Sequence, residues 1–400
     1  IKMEKTLLSK DVKGKIRVVN ICCDWNEEKR GFLIDRKTYQ LNGKITQQPP
    51  LIIQKGKAGR TVTAQASLEF ASHCQKYLDK GYKEYVGSLK DTERLTKFID
   101  TYLGDLTDSN GAKKHMLAKD GKKIATSTFD KIDFWYGSRK LDGVRCSFRQ
   151  FEGNIKTTSR GGKHYDASTE HIRNHPTFKK IFEDNPDLEL DGELYIHGRS
   201  LQYISGLARV EKDTSRCTEL EYWIYDIMDS ELSFDERLSY LEQLVEDYNL
   251  TSDLYSEFTP VDLKIRILPH EKVSGWVNIK KFHDKYVDEG FEGIVIRDPD
   301  KTYNYGGRTN DMIKWKEYRD EEFEIIGFSE GLRPEDMVFV CKTVDGKEFE
   351  AKPFGSREII HEYLERMDEI IGKMATVKFF NYSDDGKPTQ PNLKCIRDYE

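Results

Sequence analysis

The stretch "SRKLDGVRCSF", residues 138–148, lies between two runs that read as β-strands and carries an odd mixture of charges. Lys140 is followed two residues later by Asp142, then by Gly143 and Arg145. One reading is a charged strand end closed by a glycine turn, a common local pattern. The stretch does not choose between that and a chemical site. What decides is whether similar islands recur downstream.

They do, each where a strand pattern ends: "SRGGK" at 159–163, "LDGELYI" at 190–196, "YWIYDI" at 222–227, "EGIVIR" at 292–297 and "IKWKEY" at 313–318. Taken singly, each has an ordinary explanation. Glu292 and Arg297 fit an edge-strand ion pair, Tyr225 a core aromatic, and Lys314 with Lys316 an alternating solvated face. Taken together and in this order, the six islands resemble motifs I, Ia, III, IIIa, IV and V of the covalent nucleotidyltransferases, which comprise ATP-dependent DNA ligases, RNA ligases and mRNA capping enzymes. The closing "CIRDYE", 395–400, resembles the final motif of phage-type and bacterial ATP-dependent DNA ligases, with Arg397 and Asp398 as its basic-acidic pair and no lysine following.

The chemistry of that family accounts for the residue types. Moving AMP from ATP to a 5′-phosphate needs a nucleophile that attacks phosphorus and later leaves it, and an uncharged lysine amine does both. An ordinary lysine, with a pKa of about 10.4, is almost wholly protonated at neutral pH. Cations around it favour the neutral form and also neutralise phosphate. Arg145, Arg160, Lys314 and Lys316 would form that ring. The resemblance implies Lys140 as the adenylated nucleophile, with Asp142 beside it. It places Glu193 on the ribose hydroxyls, Arg145 and Arg160 near sugar and phosphate, Arg297 in the nucleotide pocket and Tyr225 stacked on adenine. Glu292, helped by Asp191 or Asp142, would hold Mg²⁺. Lys314 and Lys316 would grip the α-phosphate, and Arg397 the departing pyrophosphate. Many relatives carry Glu or Gln where this chain has Ser138; the serine can still reach the adenine edge, or a backbone carbonyl can do so in its place.

Length and composition frame these readings. Four hundred residues suit two or three domains. No apolar run approaches the roughly 18 residues of a membrane helix, and no signal-peptide pattern opens the chain. Because the chain begins at Ile1, a few residues are expected to precede it. The seven cysteines are scattered without CxxC pairs, which favours free thiols over zinc or disulfides. A cytoplasmic protein of a bacterium or phage-infected host is expected, without membrane contact. Residues 1–130 hold 25 Lys+Arg against 16 Asp+Glu, a balance of +9, while the rest holds 39 against 54. That asymmetry points to a basic N-terminal module meeting a polyanion, although a merely lysine-rich solvated surface would look the same.

The expected architecture is α+β. Residues 1–99 begin with strand runs, a Pro-Pro break at 49–50, the loop "KGKAGRTVT" and a helix ending at Gly81. They resemble a small WGR-like DNA-binding module, although the Trp-Gly-Arg triplet itself is absent; Lys55, Lys57 and Arg60 would grip phosphates there. Residues 100–114 form a turn-rich linker. The nucleotidyltransferase (adenylation) domain would fill 115–318, including a capped helix at Ser233/Glu236 and a helix stopping at Gly290. From 319 to 400, four or five strands, an Asp345-Gly346 hairpin turn and one helix at 356–371 fit an OB-fold barrel, with a β-sandwich fragment as the alternative.

The reading that follows is an ATP- and Mg²⁺-using DNA ligase acting on nicked duplex DNA as a monomer. Deleting residues 1–110 should then weaken nick binding and spare self-adenylation. RNA ligase and GTP-using capping enzyme remain as relatives sharing the core. A catalytically inactive nucleic-acid binder is the alternative of another kind.

Overall fold

The computed structural model describes residues 2–103, 107, 111–251, 263–330, 337–353 and 357–397. The chain divides into two units, one of residues 1–48 with 52–316, the other of 317–400 with Pro49–Leu51.

The N-terminal strands β1 (Met3–Lys10), β2 (Ile16–Asn26), β3 (Gly31–Gln40), β4 (Thr46–Ile53) and β5 (Lys83–Glu84) form one sheet in the order β4-β3-β2-β1-β5. Helix α1 (Val62–Leu78) lays Ala66, Phe70 and Cys74 over its apolar face, where Val19, Ile21 and Cys23 are buried. Thr61 caps that helix, accepting from the Ala64 amide. The expected break at Pro49-Pro50 does not occur: β4 runs straight through both prolines. It lies at the sheet edge, where a strand has a single neighbour and at most one of the two missing N–H groups faces it. A second helix, α2 (Thr92–Tyr102), crosses the boundary expected at residue 99; Asp91 caps it, and Leu95 and Leu103 bury against Leu8, Val18 and Tyr85.

The central part holds β6 (Lys119–Asp120), β7 (Trp135–Lys140), β8 (Val144–Phe151), β9 (Asn154–Ser159), α3 (Glu170–Arg173), α4 (Pro176–Asp184), β10 (Glu189–Tyr195) and α5 (Leu201–Ala208). It continues with β11 (Glu221–Ile227), α6 (Phe234–Tyr248), β12 (Ile265–Ile267), β13 (Glu271–Val273), α7 (Gly275–Asp288), β14 (Gly293–Arg297) and β15 (Met312–Lys316). Two five-stranded sheets result, β12-β11-β10-β8-β9 and β13-β7-β14-β15-β6. β6 lies just after the expected linker and adds a parallel edge to β15. Helix α6 carries both halves of the anticipated capping box, Ser233 with Glu236, and buries Leu238, Leu241 and Leu244. Phe148, Phe178, Leu190, Tyr222 and Ile224 are all fully buried in one continuous cluster. Each such side chain contributes on the order of 1.5–3 kcal/mol relative to exposure.

The last unit is a closed barrel of β16 (Arg319–Glu330), β17 (Met337–Lys342), β18 (Glu348–Pro353), β19 (Met374–Phe379) and β20 (Asn392–Ile396), ordered β16-β17-β18-β20-β19. All its pairings are antiparallel except β18 with β20. Alternate residues point inward, as in Phe339/Cys341, Phe349/Ala351 and Ala375/Val377/Phe379. Asp345-Gly346 makes the β17–β18 turn, with the Thr343 amide bonded to the Lys347 carbonyl at 2.9 Å. The single helix expected at 356–371 is two, α8 (Arg357–Glu365) and α9 (Met367–Ile370), because Arg366 leaves the helical region at φ −111°. A helix between the third and fourth strands of a five-stranded barrel matches the OB pattern. No helix among the described residues is long and apolar enough to cross a membrane.

Candidate active site

Strand alternation brings the separated islands together. On β7, Ser138 and Lys140 are two residues apart and share a face; β14 pairs so that Val295 lies opposite Ser138 and Gly293 opposite Lys140. β15 then sets Lys314 opposite Val295 and Lys316 opposite Gly293. The other sheet supplies Arg145 from β8, Glu193 from β10 and Tyr225 from β11. The result is a cavity of about 520 Å³, lined by Ser138, Lys140, Arg145, Arg160, Glu193, Tyr225, Arg297 and Lys314. That volume falls in the usual range for small-molecule sites, roughly 300–1,000 Å³.

At one end the chemistry centres on the lysine. The Glu292 amide donates to the Lys140 carbonyl at 2.9 Å, locking the two backbones together. Lys140 Nζ in turn donates to Glu292 Oε2, and Lys316 Nζ lies 3.3 Å from Oε1 of the same buried carboxylate. Burial, reinforced by Lys140 and Lys316, pulls the Lys314 ammonium below its ordinary value. Burial and the neighbouring Glu292 push the Asp142 carboxyl up to about 6, against the opposing pull of Lys140. Gly143 is dictated by space: a Cβ there would lie 2.4 Å from the Leu194 carbonyl oxygen and 2.7 Å from Glu193 Cγ.

At the other end a β-bulge does the aiming. Asp191 pairs with Asp226 but Gly192 pairs with Ile224, so Tyr225 is the extra residue on β11 and lines the cavity. Gly192 is again a close-approach residue, since a Cβ would meet the Trp223 carbonyl oxygen at 2.5 Å. The Tyr225 hydroxyl, kept neutral by burial, donates to Glu193 Oε2 at 3.3 Å. Burial pushes the Glu193 carboxyl up to about 7 despite Lys140 and Arg145 nearby. Arg145 is held by Asp191 through Nε at 2.9 Å and Nη2 at 2.5 Å, while Nη1 donates to the Met116 carbonyl at 2.6 Å. Arg297 Nη1 donates to Ser138 Oγ at 3.3 Å, and its Nε lies 3.6 Å from Asp226. Asp226 is itself clasped by buried Arg237, 2.6 Å from Nε.

Not every expected residue joins this cavity. Asp191 does not line the cavity. It is fully buried, and its oxygens accept from Arg145 and from the Tyr303 hydroxyl at 2.6 Å, so it anchors a guanidinium. Asp142, Lys316 and Glu292 gather around Lys140 beside the cavity and are not among its lining residues. Lys55, Lys57 and Arg60 are exposed on the loop before α1, away from it, with Arg60 Nη1 bonded to the Lys57 carbonyl at 3.1 Å. Arg397 belongs to the barrel, where its Nε donates to Thr376 Oγ1 at 2.9 Å and pairs with Glu322 at 3.0 Å. Asp398 lies outside the described residues. Unanticipated members are Arg308, which lines the cavity, and the supports Tyr303, Arg237 and His270. Among the described residues no three His, Cys, Asp or Glu side chains converge as a metal cage.

With the geometry in hand, comparison with known proteins is informative. The family model described as "ATP dependent DNA ligase domain" matches residues 115–316. A DNA ligase of African swine fever virus (isolate Pig/Kenya/KEN-50/1950) is 25% identical over 245 residues, 60% of this chain and 55% of the viral protein. The DNA ligase of Enterobacteria phage T4 is 24% identical over 125 residues, 30% of this chain and 23% of the phage protein. The chain thus spans about half the length of the swine fever virus relatives it matches. Among solved structures, Pmar-Lig_Pre superposes with a TM-score of 0.60 at 19% identity, over 77% of this chain and 72% of that one. A Lig E DNA ligase superposes with a TM-score of 0.53 at 20% identity, over 72% of this chain and all of that one. At such identities the likeness to the solved structures is one of fold.

Proposed function

This chain belongs to the ATP-dependent DNA ligase domain family, and on that premise we propose that it seals nicks in duplex DNA through a lysyl-AMP intermediate on Lys140. The observation that carries the proposal is the lysine itself. It sits at the end of β7, on the wall of a cavity whose other sides present Arg145, Arg160, Arg297 and Lys314. A binding protein has no use for an amine so placed; a nucleotidyl carrier requires it.

In this reading the Lys140 amine attacks the α-phosphorus of ATP; an N–P bond forms, the bond to the bridging oxygen breaks, and pyrophosphate leaves. The Glu292 carboxylate that accepts from Nζ is within reach of the proton the amine must lose. Lys314 and Lys316 neutralise the charge gathering on the phosphate, as the surrounding cations do in phosphoryl-type transfers. Tyr225 offers a ring for adenine and Glu193 an oxygen for the ribose. Ser138, oriented by Arg297, faces the base edge. The 5′-phosphate of the nick then displaces Lys140 from the adenylate, and the 3′-hydroxyl displaces AMP. Arg397 is assigned the departing pyrophosphate on the resemblance alone.

Magnesium fits the residues present. It usually takes one or two carboxylates plus phosphate oxygens and not a full protein cage. Asp142, raised partly by the negative charge of Glu292, belongs to a carboxylate pair that a cation would relieve. Glu292 and Asp142 would hold it, and it would supply charge neutralisation at the phosphates.

Incubation with ATP labelled at the α-phosphate, followed by a denaturing gel, tests the assignment. Wild-type protein should take the label from ATP and not from GTP, and Lys140→Ala should take none. Labelling from GTP would indicate a capping enzyme. An unlabelled, folded wild-type chain would indicate a non-catalytic binder.

A further inference from the structure

A second cleft, about 590 Å³, lies between the N-terminal sheet and the central sheets. The two parts are keyed together at the "SRGGK" loop. Gly162, at φ +80°, packs so closely on Asp79 that a Cβ would lie 1.9 Å from its carbonyl oxygen. Beside it, Lys163 Nζ pairs with the Asp79 carboxylate at 2.5 Å. Lys10, Lys13 and Lys15 enter this cleft from the β1–β2 turn, and Arg160 enters from the core; Arg160 lines the nucleotide cavity as well.

Two features mark the cleft as built for an anion. Its acids are already neutralised: Asp11 accepts from Arg17 Nε at 2.9 Å and from the Lys13 and Lys15 amides at 2.9 and 3.0 Å, and Asp79 is held by Lys163. The lysines therefore leave a surplus of positive charge. Independently, His115 lines the cleft, is only 5% exposed, and its buried Nε2 has no hydrogen-bond partner among the described residues. Buried polar atoms are almost always satisfied, so this one marks a ring without a fixed hold. Nε2 is closed off from solvent as the ring stands, so the ring would turn to offer an N–H to an anionic oxygen in the cleft.

We propose that this cleft holds the phosphodiester backbone of the DNA strand leaving the nucleotide cavity, with Lys10, Lys13, Lys15 and Arg160 on successive phosphates and the His115 ring turning to offer an N–H to a phosphate oxygen. The inference rests on the ligase reading. It moves the N-terminal grip from Lys55, Lys57 and Arg60, whose loop lines neither cavity, to the opposite end of the β1–β2 hairpin.

The test is nicked-duplex binding by fluorescence anisotropy across a salt series, comparing wild type with the triple variant Lys10→Ala, Lys13→Ala, Lys15→Ala. All three lysines are exposed, so the core is untouched. Each phosphate contact contributes about −0.9 to the slope of log affinity against log salt, so the triple variant should lose up to about 2.7 of that slope and at least about tenfold in affinity. The His115 imidazole resonance should shift on adding duplex. A triple variant with wild-type slope and affinity overturns the cleft and leaves the ligase reading standing. A wild-type chain that binds no duplex at any salt overturns both. If inorganic pyrophosphate shifts His115 while the triple variant keeps full duplex affinity, the cleft is a free-phosphate site and the proposal fails.

Discussion

Asp191→Asn probes the buried carboxylate that holds Arg145. The substitution keeps shape but removes the charge facing Arg145, and it turns one acceptor of a two-pronged pair into an N–H donor aimed at N–H or O–H groups. Three bonds converge on this carboxylate: 2.9 and 2.5 Å from Arg145 and 2.6 Å from Tyr303. Asp191 is 0% exposed, so water cannot replace what is lost. Stripping one partner from a buried pair costs about 3–5 kcal/mol, mostly from the charge left behind. At roughly 2–4 °C per kcal/mol, the melting temperature should fall by about 6–20 °C. Burial alone would raise the Asp191 carboxyl, but Arg145 holds it below the ordinary range. Its contribution is therefore present above about pH 4 and lost as pH falls through the folded value; the variant should lack that acid limb. Thermal and urea melts would measure both. The double variant Asp191→Leu, Arg145→Met removes both charges and should regain most of the stability, yet take little label, because Arg145 lines the nucleotide cavity. A melting temperature for Asp191→Asn within about 2 °C of wild type would refute the reasoning.

Other outcomes follow from single sites. Gly143→Ala should cost about 1–3 kcal/mol and raise the ATP concentration needed for labelling, since Glu193 must give way to the new Cβ; unchanged ATP dependence would contradict the close approach. Burial and the neighbouring Arg145 pull His115 down to about 4, so the unfolded state binds its proton first and stability should fall by about 3 kcal/mol as pH drops from above 6.5 to 4. His115→Gln should flatten that decline in urea midpoints measured at pH 7 and 4.5; identical declines would remove histidine from the explanation. Ser233→Ala removes the acceptor of the Glu236 amide while the Ser233 amide keeps its bond to the Glu236 carboxylate, and should cost about 1 kcal/mol by denaturant titration, against no change if the helix end is otherwise satisfied.

What could be read from the sequence is what local chemistry dictates. That Ser138, Lys140, Glu193, Tyr225 and Lys314 share one cavity is legible because each lies in a strand island, and the facing strands of two sheets turn them inward. The Ser233/Glu236 box and the Asp345-Gly346 turn are legible because both partners lie within a few residues. Pro49-Pro50 misleads because an edge strand tolerates what an inner strand does not, and edge position is set by the sheet. Helix α2 escapes because its Asp91 start is a single weak signal amid polar residues. The pairing of Asp191 with Arg145 escapes because the two lie 46 positions apart on different strands. His115 and the Asp226–Arg237–Arg297 chain carry no local signal, because their partners, or the lack of one, come from distant segments.

The fit of Gly162 against Asp79 bears on how the protein can be dissected. Cutting the chain back to the stretch common to its relatives would expose the underside of the very loop that carries Arg160 toward the nucleotide. The first hundred residues act as a buttress for that loop. A shortened chain would be a different machine, with a slackened wall beside Lys140, rather than the same engine without one attachment.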